Sequence, residues 1–266
     1  MDDLQLARAA AAAAARIISE AGSRVADFKG AVDPVTAADR EAEATITAII
    51  QRERPDDGFL AEEGSAAATE VGRIWVFDPL DGTVNFLHGV PHVAVSIALE
   101  MDGQATVGVI RDVYRDEEFW AVRGAGAFLD GAPIAVSTTA HIGAALVSTG
   151  FAYDRQERAD DYTRMVNAVL RVAQGLRRMG SAALDLAWVA CGRYEGHWEI
   201  RLSPWDVAAG LMLVQEAGGT TTSSDGGPAT HHDLLATNGL IHEELRRTVR
   251  ASLQSPVPSP RPEPPK

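Results

Sequence analysis

Trp75-Val76-Phe77-Asp78-Pro79-Leu80-Asp81-Gly82-Thr83 joins a strongly apolar run to two acids three residues apart. The run Ile74–Phe77 predicts a short buried strand that carries Asp78 at its tip. Pro79 predicts a turn, with Asp81 brought back beside Asp78. Gly82-Thr83 predicts a tight turn into Val84-Asn85-Phe86. A turn accounts for Pro79, Asp81 and Gly82. It does not account for two carboxylates tied to a core strand, where an unpaired charge is costly.

Three more acidic segments lie at element ends. Phe59-Leu60-Ala61-Glu62-Glu63-Gly64 is an apolar strand ending in two glutamates. Pro204-Trp205-Asp206 starts a helix, and so does Thr36-Ala37-Ala38-Asp39. Each has a plain structural reading: a solvated loop for Glu62-Glu63, a favourable helix-dipole position for Asp206, a capping box for Thr36 and Asp39. Together they present oxygen ligands with no His or Cys among them, which suits a hard divalent cation such as Mg²⁺. The amides of Gly82 and Thr83, at a turn or helix start, can bind a phosphate. Cation, phosphate cradle and hydroxyl together imply metal-assisted phosphoester hydrolysis.

Periodicity predicts helices at Leu4–Ala21, stopped by Gly22, and at Thr36–Gln51. Strands follow at His92–Glu100, Thr106–Val113 and Glu118–Val122. Phe128–Leu129 and Ile134–Val136 flank the hairpin turn Asp130-Gly131. After residue 140 the pattern alternates. Strands are expected at Ala144–Ser148, His197–Ile200, Thr220–Thr222 and Leu234–Thr237. Helices are expected near Asp160–Gln174, Ser181–Cys191, Asp206–Ala217 and His242–Ser252. The class is α+β, with lobes at 1–140 and 141–254. Ser255–Lys266 holds six of the 13 prolines and reads as an extended, mobile tail.

The 266 residues carry 24 Lys+Arg against 37 Asp+Glu, a net charge of −13 that argues against sequence-independent nucleic-acid binding. Only Lys29 and Lys266 are lysines. One cysteine, Cys191, excludes a disulfide framework and a Cys-rich metal site. It reads as buried and inert. No apolar run is long enough to span a membrane. The alanine run Ala9–Ala15 follows Asp2 and Asp3 rather than a basic cluster, so it reads as a helix and not a signal peptide. A cytoplasmic protein is expected.

Asp78-Pro-Leu-Asp-Gly-Thr-Val-Asn-Phe resembles the signature of the inositol monophosphatase family, the Mg²⁺-dependent, lithium-sensitive phosphatases. Trp205-Asp-Val-Ala-Ala-Gly with Glu216-Ala-Gly-Gly resembles its second signature. Ala61-Glu-Glu-Gly resembles its Gly-Glu-Glu strand end, and Val32-Asp-Pro-Val-Thr-Ala-Ala-Asp39 its helix-start motif. Order and spacing match from about residue 4 to 253. The resemblance implies a layered α/β/α/β/α sandwich, shared with the fructose-1,6-bisphosphatases, and a homodimer. It implies two to three Mg²⁺ ions. Glu62, Asp78 and the Leu80 carbonyl would hold the first; Asp78, Asp81 and Asp206 the second. Glu62, with Asp39 nearby through water, would serve a weaker third. Thr83, paired with Asp39, would orient the attacking water, and the Gly82 and Thr83 amides would bind the phosphate. Glu199 and Ala182 would contact the substrate alcohol, with Asp81 and Asp206 facing it too.

Inositol monophosphate is the first substrate expected, on Asn85-Phe86 after the Gly-Thr pair and on Glu199 seven residues before Asp206. Histidinol phosphate, fructose 1,6-bisphosphate and 3′-phosphoadenosine compounds are the alternatives. From another class, a regulatory binding protein would keep the fold without the chemistry. Lys29 stands one residue nearer Asp33 than the family pattern. His88 and His92 could touch substrate, but a structural role is the plainer reading. His231-His232 reads as a polar loop and Gly124-Ala125-Gly126 as a turn.

Overall fold

The first helix, α1 (Asp3–Glu20), begins at Asp2, whose side chain and that of Gln5 form a reciprocal capping box. Its alanine stripe lets it approach a sheet closely, and Leu6, Ala7, Ala10, Ala11 and Ala14 are wholly buried. The structure is a computed structural model that describes residues 1–21, 25–28, 34–64, 66–67 and 72–254. The expectations for Gly22, Lys29, Val32-Asp33 and the tail Ser255–Lys266 fall outside these residues.

After α1 come β1 (Ala26–Phe28), β2 (Pro34–Thr36), α2 (Ala37–Glu53), β3 (Gly58–Ala61), β4 (Ala66–Ala67) and β5 (Arg73–Asp81). Next are α3 (Thr83–His88), β6 (Ala94–Met101), β7 (Gln104–Asp112), β8 (Glu118–Val122), β9 (Gly126–Leu129) and β10 (Ala132–Ile134). The rest of the chain forms β11 (Leu146–Thr149), α4 (Ala159–Leu170), β12 (Gly175–Arg177), α5 (Ala182–Ala190) and β13 (Gly196–Ile200). It closes with α6 (Pro204–Glu216), β14 (Thr220–Thr222), β15 (Asp233–Thr237) and α7 (His242–Gln254).

The strands form an eight-stranded sheet in the order β10-β9-β8-β7-β6-β5-β3-β4, a five-stranded sheet in the order β12-β11-β13-β15-β14, and the small pair β1-β2. Three apolar cores show the layering. Leu6, Ile18, Ile46, Trp75, Phe77 and Ile97 lie between α1-α2 and the large sheet. Val76, Ala98 and Ile110 face the other way, onto Leu186 of α5 and Leu213 of α6, which also cover Leu234 and Ala236 of the small sheet. Val147, Trp198 and Leu235 pack against Met165 of α4 and Leu245 of α7. The layers therefore run α/β/α/β/α. Because β5 is covered on both faces, consecutive residues can all be apolar while Trp75 and Phe77 alternate with Val76 between two cores.

The structure corrects three local readings. Pro79 does not end β5. The strand runs on to Asp81 through a bulge, with Asp78 opposite Ser96 and Asp81 opposite Ala94. A bulge leaves an unpaired residue, so a proline without an N–H is tolerated there. Gly82-Thr83 starts a helix, α3, rather than a simple turn. The helix expected to reach Gln174 ends at Leu170, and β12 follows.

Candidate active site

β5 and β3 run parallel with Ala61 opposite Phe77, so both strands point their next residues at the same edge. Those residues are Glu62 and Asp78, and their carboxyls hydrogen bond to each other. Asp78 is buried at 3 % exposure. Its Oδ1 accepts from the Leu80 amide at 2.8 Å, which fixes the carboxyl across the bulge. The Glu63 amide donates to Glu43 of α2 at 2.7 Å and anchors the end of β3.

Asp81 faces the start of α5. Its Oδ2 accepts from the Ser181 hydroxyl at 2.6 Å and the Ala183 amide at 2.8 Å. A helix N-terminus is a favourable place for a carboxylate. Asp206 holds the same kind of position in α6, where Pro204 opens the helix and the Ser203 amide donates to Asp206 at 2.7 Å.

Gly82 precedes α3 with φ of 99°, in the left-handed region that favours glycine. A Cβ there would lie 3.0 Å from the His92 carbonyl and 3.3 Å from that of Gly180. Asn85 pins the same loop by donating to His92 O and Met179 O, each at 2.8 Å. Thr83 is buried. Its hydroxyl lies 3.3 Å from Asp39 Oδ1 and 3.2 Å from the Leu80 carbonyl. The other Asp39 oxygen accepts from the Thr36 amide at 2.9 Å and from the Thr36 hydroxyl. The capping box is real, and the same carboxyl also reaches Thr83, so the two readings of Asp39 do not compete.

One cavity of about 440 Å³ gathers these groups. Glu62, Asp78, Leu80, Asp81, Gly82, Thr83, Asp206, Ala182 and Glu199 all line it. Asp39 lies behind Thr83 and reaches the cavity through that hydroxyl. Burial above all pushes the Asp78 carboxyl well above its usual range, followed by the charges of Glu62, Asp81 and Asp206. Asp206 is raised likewise, by burial and then by Asp81. Burial lifts Asp81 to about 6 against its hydrogen bonds to Ser181 and Ala183. Asp39 is raised by burial in spite of the bonds from Thr36 and Thr83.

These residues fit Mg²⁺ on the chemistry of the donor set. The strongest influences on Asp78 are burial and three like charges, with no cation among them. The oxygens are hard, and the amides of Leu80, Ala183 and Ser203 hold the Asp78, Asp81 and Asp206 carboxyls. Among the described residues, no three His, Cys, Asp or Glu side chains stand in a closed cation cage.

Glu199 on β13 is buried against Gly150, where a Cβ would lie only 2.1 Å from Glu199 Oε1. Gly150→Ala is therefore expected to displace this carboxyl, raise KM for a polyol phosphate about ten-fold and lower stability by about 1–3 kcal/mol. Steady-state kinetics and urea unfolding check this; an unchanged KM contradicts the placement.

Sequence reasoning missed Asp185 and the arginines Arg155, Arg178 and Arg201, all of which line the cavity, and did not foresee that the Ser181 hydroxyl anchors Asp81. Asp185 carries a signal in hindsight, a lone acid inside the apolar helix Ala182–Ala190. The arginines carry none, because arginines in loops look like any surface.

His92 does not line the cavity. It is 1 % exposed, edge-on to Trp188 at 5.3 Å between ring centres and 3.3 Å from Arg115 Nη1. Burial, then the Arg115 charge, lowers its pKa to about 4. A depressed histidine contributes stability above its unfolded value and loses it as pH falls toward the folded one. Between pH 7 and 5 the wild type should lose about 2 kcal/mol more than His92→Gln. Parallel acid limbs in urea unfolding would contradict this. Cys191 caps α5, half-buried, with its thiol pushed up by burial.

Comparison with known proteins places the whole chain in one family. The sequence model of the inositol monophosphatase family matches residues 2–254. Inositol-1-monophosphatase of Synechocystis sp. is 46% identical over 225 residues, 84% of this chain and 78% of that protein. Nus factor SuhB of Escherichia coli is 42% identical over 217 residues, 81% of this chain and 80% of that protein. The solved structure of inositol monophosphatase from Anabaena (Nostoc) sp. superposes with a TM-score of 0.85 at 42% identity, covering 96% of each chain. A family match over nearly the whole chain, on the same layered fold, shows that the chain belongs to the inositol monophosphatase family and is a phosphate monoester hydrolase.

Proposed function

We propose that this protein hydrolyses inositol monophosphate to inositol and phosphate, with Mg²⁺ held by Glu62, Asp78, the Leu80 carbonyl, Asp81 and Asp206. The observation that carries this reading is the gathering of Glu62, Asp78, Asp81 and Asp206 on one cavity wall, with Gly82 and Thr83 beside them. When bound, Mg²⁺ supplies positive charge that offsets the phosphate and the developing alkoxide.

The chain's own residues do the rest. Thr83, held between Asp39 and the Leu80 carbonyl, donates to Asp39 and keeps its lone pairs for a water, which it orients toward phosphorus. The first amides of α3 have no partner within the helix, and those of Gly82 and Thr83, which line the cavity, would hold phosphate oxygens. Glu199 and Ala182 bound the side where the alcohol lies. Two to three ions, lithium sensitivity, a homodimer and a cytoplasmic setting belong to the same proposal and rest on the family resemblance. Among the described residues no helix is long and apolar enough to cross a membrane.

The test is parallel kcat/KM measurement on inositol 1-phosphate, histidinol phosphate, fructose 1,6-bisphosphate and 3′-phosphoadenosine 5′-phosphate, with Mg²⁺ and with EDTA. Preference for inositol 1-phosphate and loss of release in EDTA are expected. A strong preference for another substrate removes the inositol assignment. The relative named Nus factor SuhB favours a second reading, a binding role beside the chemistry. Inactivity of the wild type on all four substrates would leave that reading standing alone.

A further inference from the structure

Beyond the carboxylate wall, two buried polar side chains, Asp185 and His197, stand in a row with Glu199 and are left unused by the proposed chemistry. Asp185 projects from α5, whose other buried residues are all apolar. It is 1 % exposed and lines the cavity, and its Oδ1 has no hydrogen-bond partner. His197 on β13 is fully buried. Its Nδ1 lies 3.0 Å from the Ser148 hydroxyl and 3.8 Å from Asp185 Oδ2. Its Nε2 lies 3.5 Å from Glu199 Oε2 and makes no hydrogen bond.

The backbone explains the row. Ser148 and His197 are direct partners where β11 and β13 pair. His197 and Glu199 are two residues apart on one strand and share a face. The imidazole thus stands between two cavity carboxyls, one from a helix and one from a strand. Gly150 leaves room for the Glu199 carboxyl, which occupies the place a Cβ there would take.

We propose that Asp185 is a second polar anchor for the substrate alcohol, and that His197 is a positioning residue that sets the spacing of Asp185 and Glu199 so that they meet neighbouring hydroxyls of a polyol. This rests on the phosphatase reading and deepens it. The chemistry favours hydroxyls. A hydroxyl donates and accepts, so it satisfies a carboxyl in either protonation state. Arg155, Arg178 and Arg201 also line the cavity, but a second anionic group placed between Asp185 and Glu199 would be repelled by both carboxyls. An ammonium would need two full negative charges held side by side out of water, which is costly. The orphaned Asp185 oxygen gains its missing partner when a hydroxyl arrives.

The test compares KM and kcat on inositol 1-phosphate, histidinol phosphate and 4-nitrophenyl phosphate, whose leaving group has no alcohol hydroxyl. The variants are Asp185→Asn, Asp185→Leu, His197→Phe and His197→Gln, each with a thermal melt. For Asp185→Leu, KM on inositol 1-phosphate should rise about ten-fold more than KM on 4-nitrophenyl phosphate. Asp185→Asn should give a smaller shift of the same sign. His197→Phe should shift the same ratio, and His197→Gln, which keeps a polar group beside Glu199, should restore much of it. An equal rise of KM on all three substrates would show a merely structural role and overturn the inference. A larger rise on histidinol phosphate than on inositol 1-phosphate would assign the pair to an ammonium and overturn the hydroxyl assignment. Wild type inactive on all three overturns the phosphatase reading and this inference with it. Active wild type with unchanged KM ratios overturns the inference alone.

Discussion

Asp78→Asn should lower kcat/KM by about 10³-fold or more while leaving the protein folded, and in EDTA slightly more stable than the wild type. The loss follows from the position of the carboxyl. Asp78 touches Glu62 and feels the charges of Asp81 and Asp206, so it is shared by the first and second cation positions proposed here. Contributions of several kcal/mol from such a site correspond to about three powers of ten in rate. The gain in stability follows from the same crowding. A carboxyl raised by burial and like charges stabilises the fold only while protonated, and this contribution is lost as pH rises through its folded value. Asparagine keeps an oxygen to accept from the Leu80 amide, now 2.8 Å from Asp78 Oδ1, and removes the charge. Phosphate-release kinetics and thermal melts in EDTA are the readouts. Activity within ten-fold of wild type would contradict the assignment of Asp78. Equal inactivity of wild type and variant on a broad panel would end the enzyme reading.

Gly82→Ala should cost about 3 kcal/mol of stability and about 100-fold in kcat/KM. A side chain at φ of 99° is strained, about 1–3 kcal/mol for a residue outside its favoured regions. The added Cβ would also press on two backbone carbonyls, those of His92 and Gly180 at 3.0 and 3.3 Å. Neither can swing aside as a side-chain end would, because Asn85 ties that backbone to the loop. The loop must shift, and the start of α3 shifts with Thr83 and the amides proposed to hold phosphate. Displacement of about 1 Å at a reacting centre can cost a factor of 100. For a chain of this size the melting temperature should fall by about 6–12 °C. A variant that melts with the wild type and keeps its KM would show that this loop does not carry phosphate.

The strand-end acids were legible because an apolar run that stops at a carboxylate is locally unfavourable and asks for a purpose. Asp78 stood out on that ground, whereas Glu62 and Asp206 each had a plain structural reading until the family resemblance joined them; the structure brings all three to one cavity. Asp39 was harder, since its capping bond to Thr36 fully explains it until the contact with Thr83, 44 residues away, is seen. Pro79 misled because proline usually breaks a ladder, and whether a bulge absorbs it depends on the partner strand. Strands such as β4 and β12, of two and three residues, are too short for any periodicity. The order of the layers came from the family resemblance and not from pattern. Asp185 hid in an apolar helix, and the fit of Glu199 against Gly150 is a contact across strands that spacing does not encode.

Anomalous diffraction from crystals grown with Mn²⁺ in place of Mg²⁺ tests the central assignment most directly. Peaks bound by Asp78 together with Glu62, and by Asp78 together with Asp81 and Asp206, are the expected result. An active enzyme whose crystals show no metal peak at Asp78 would contradict it.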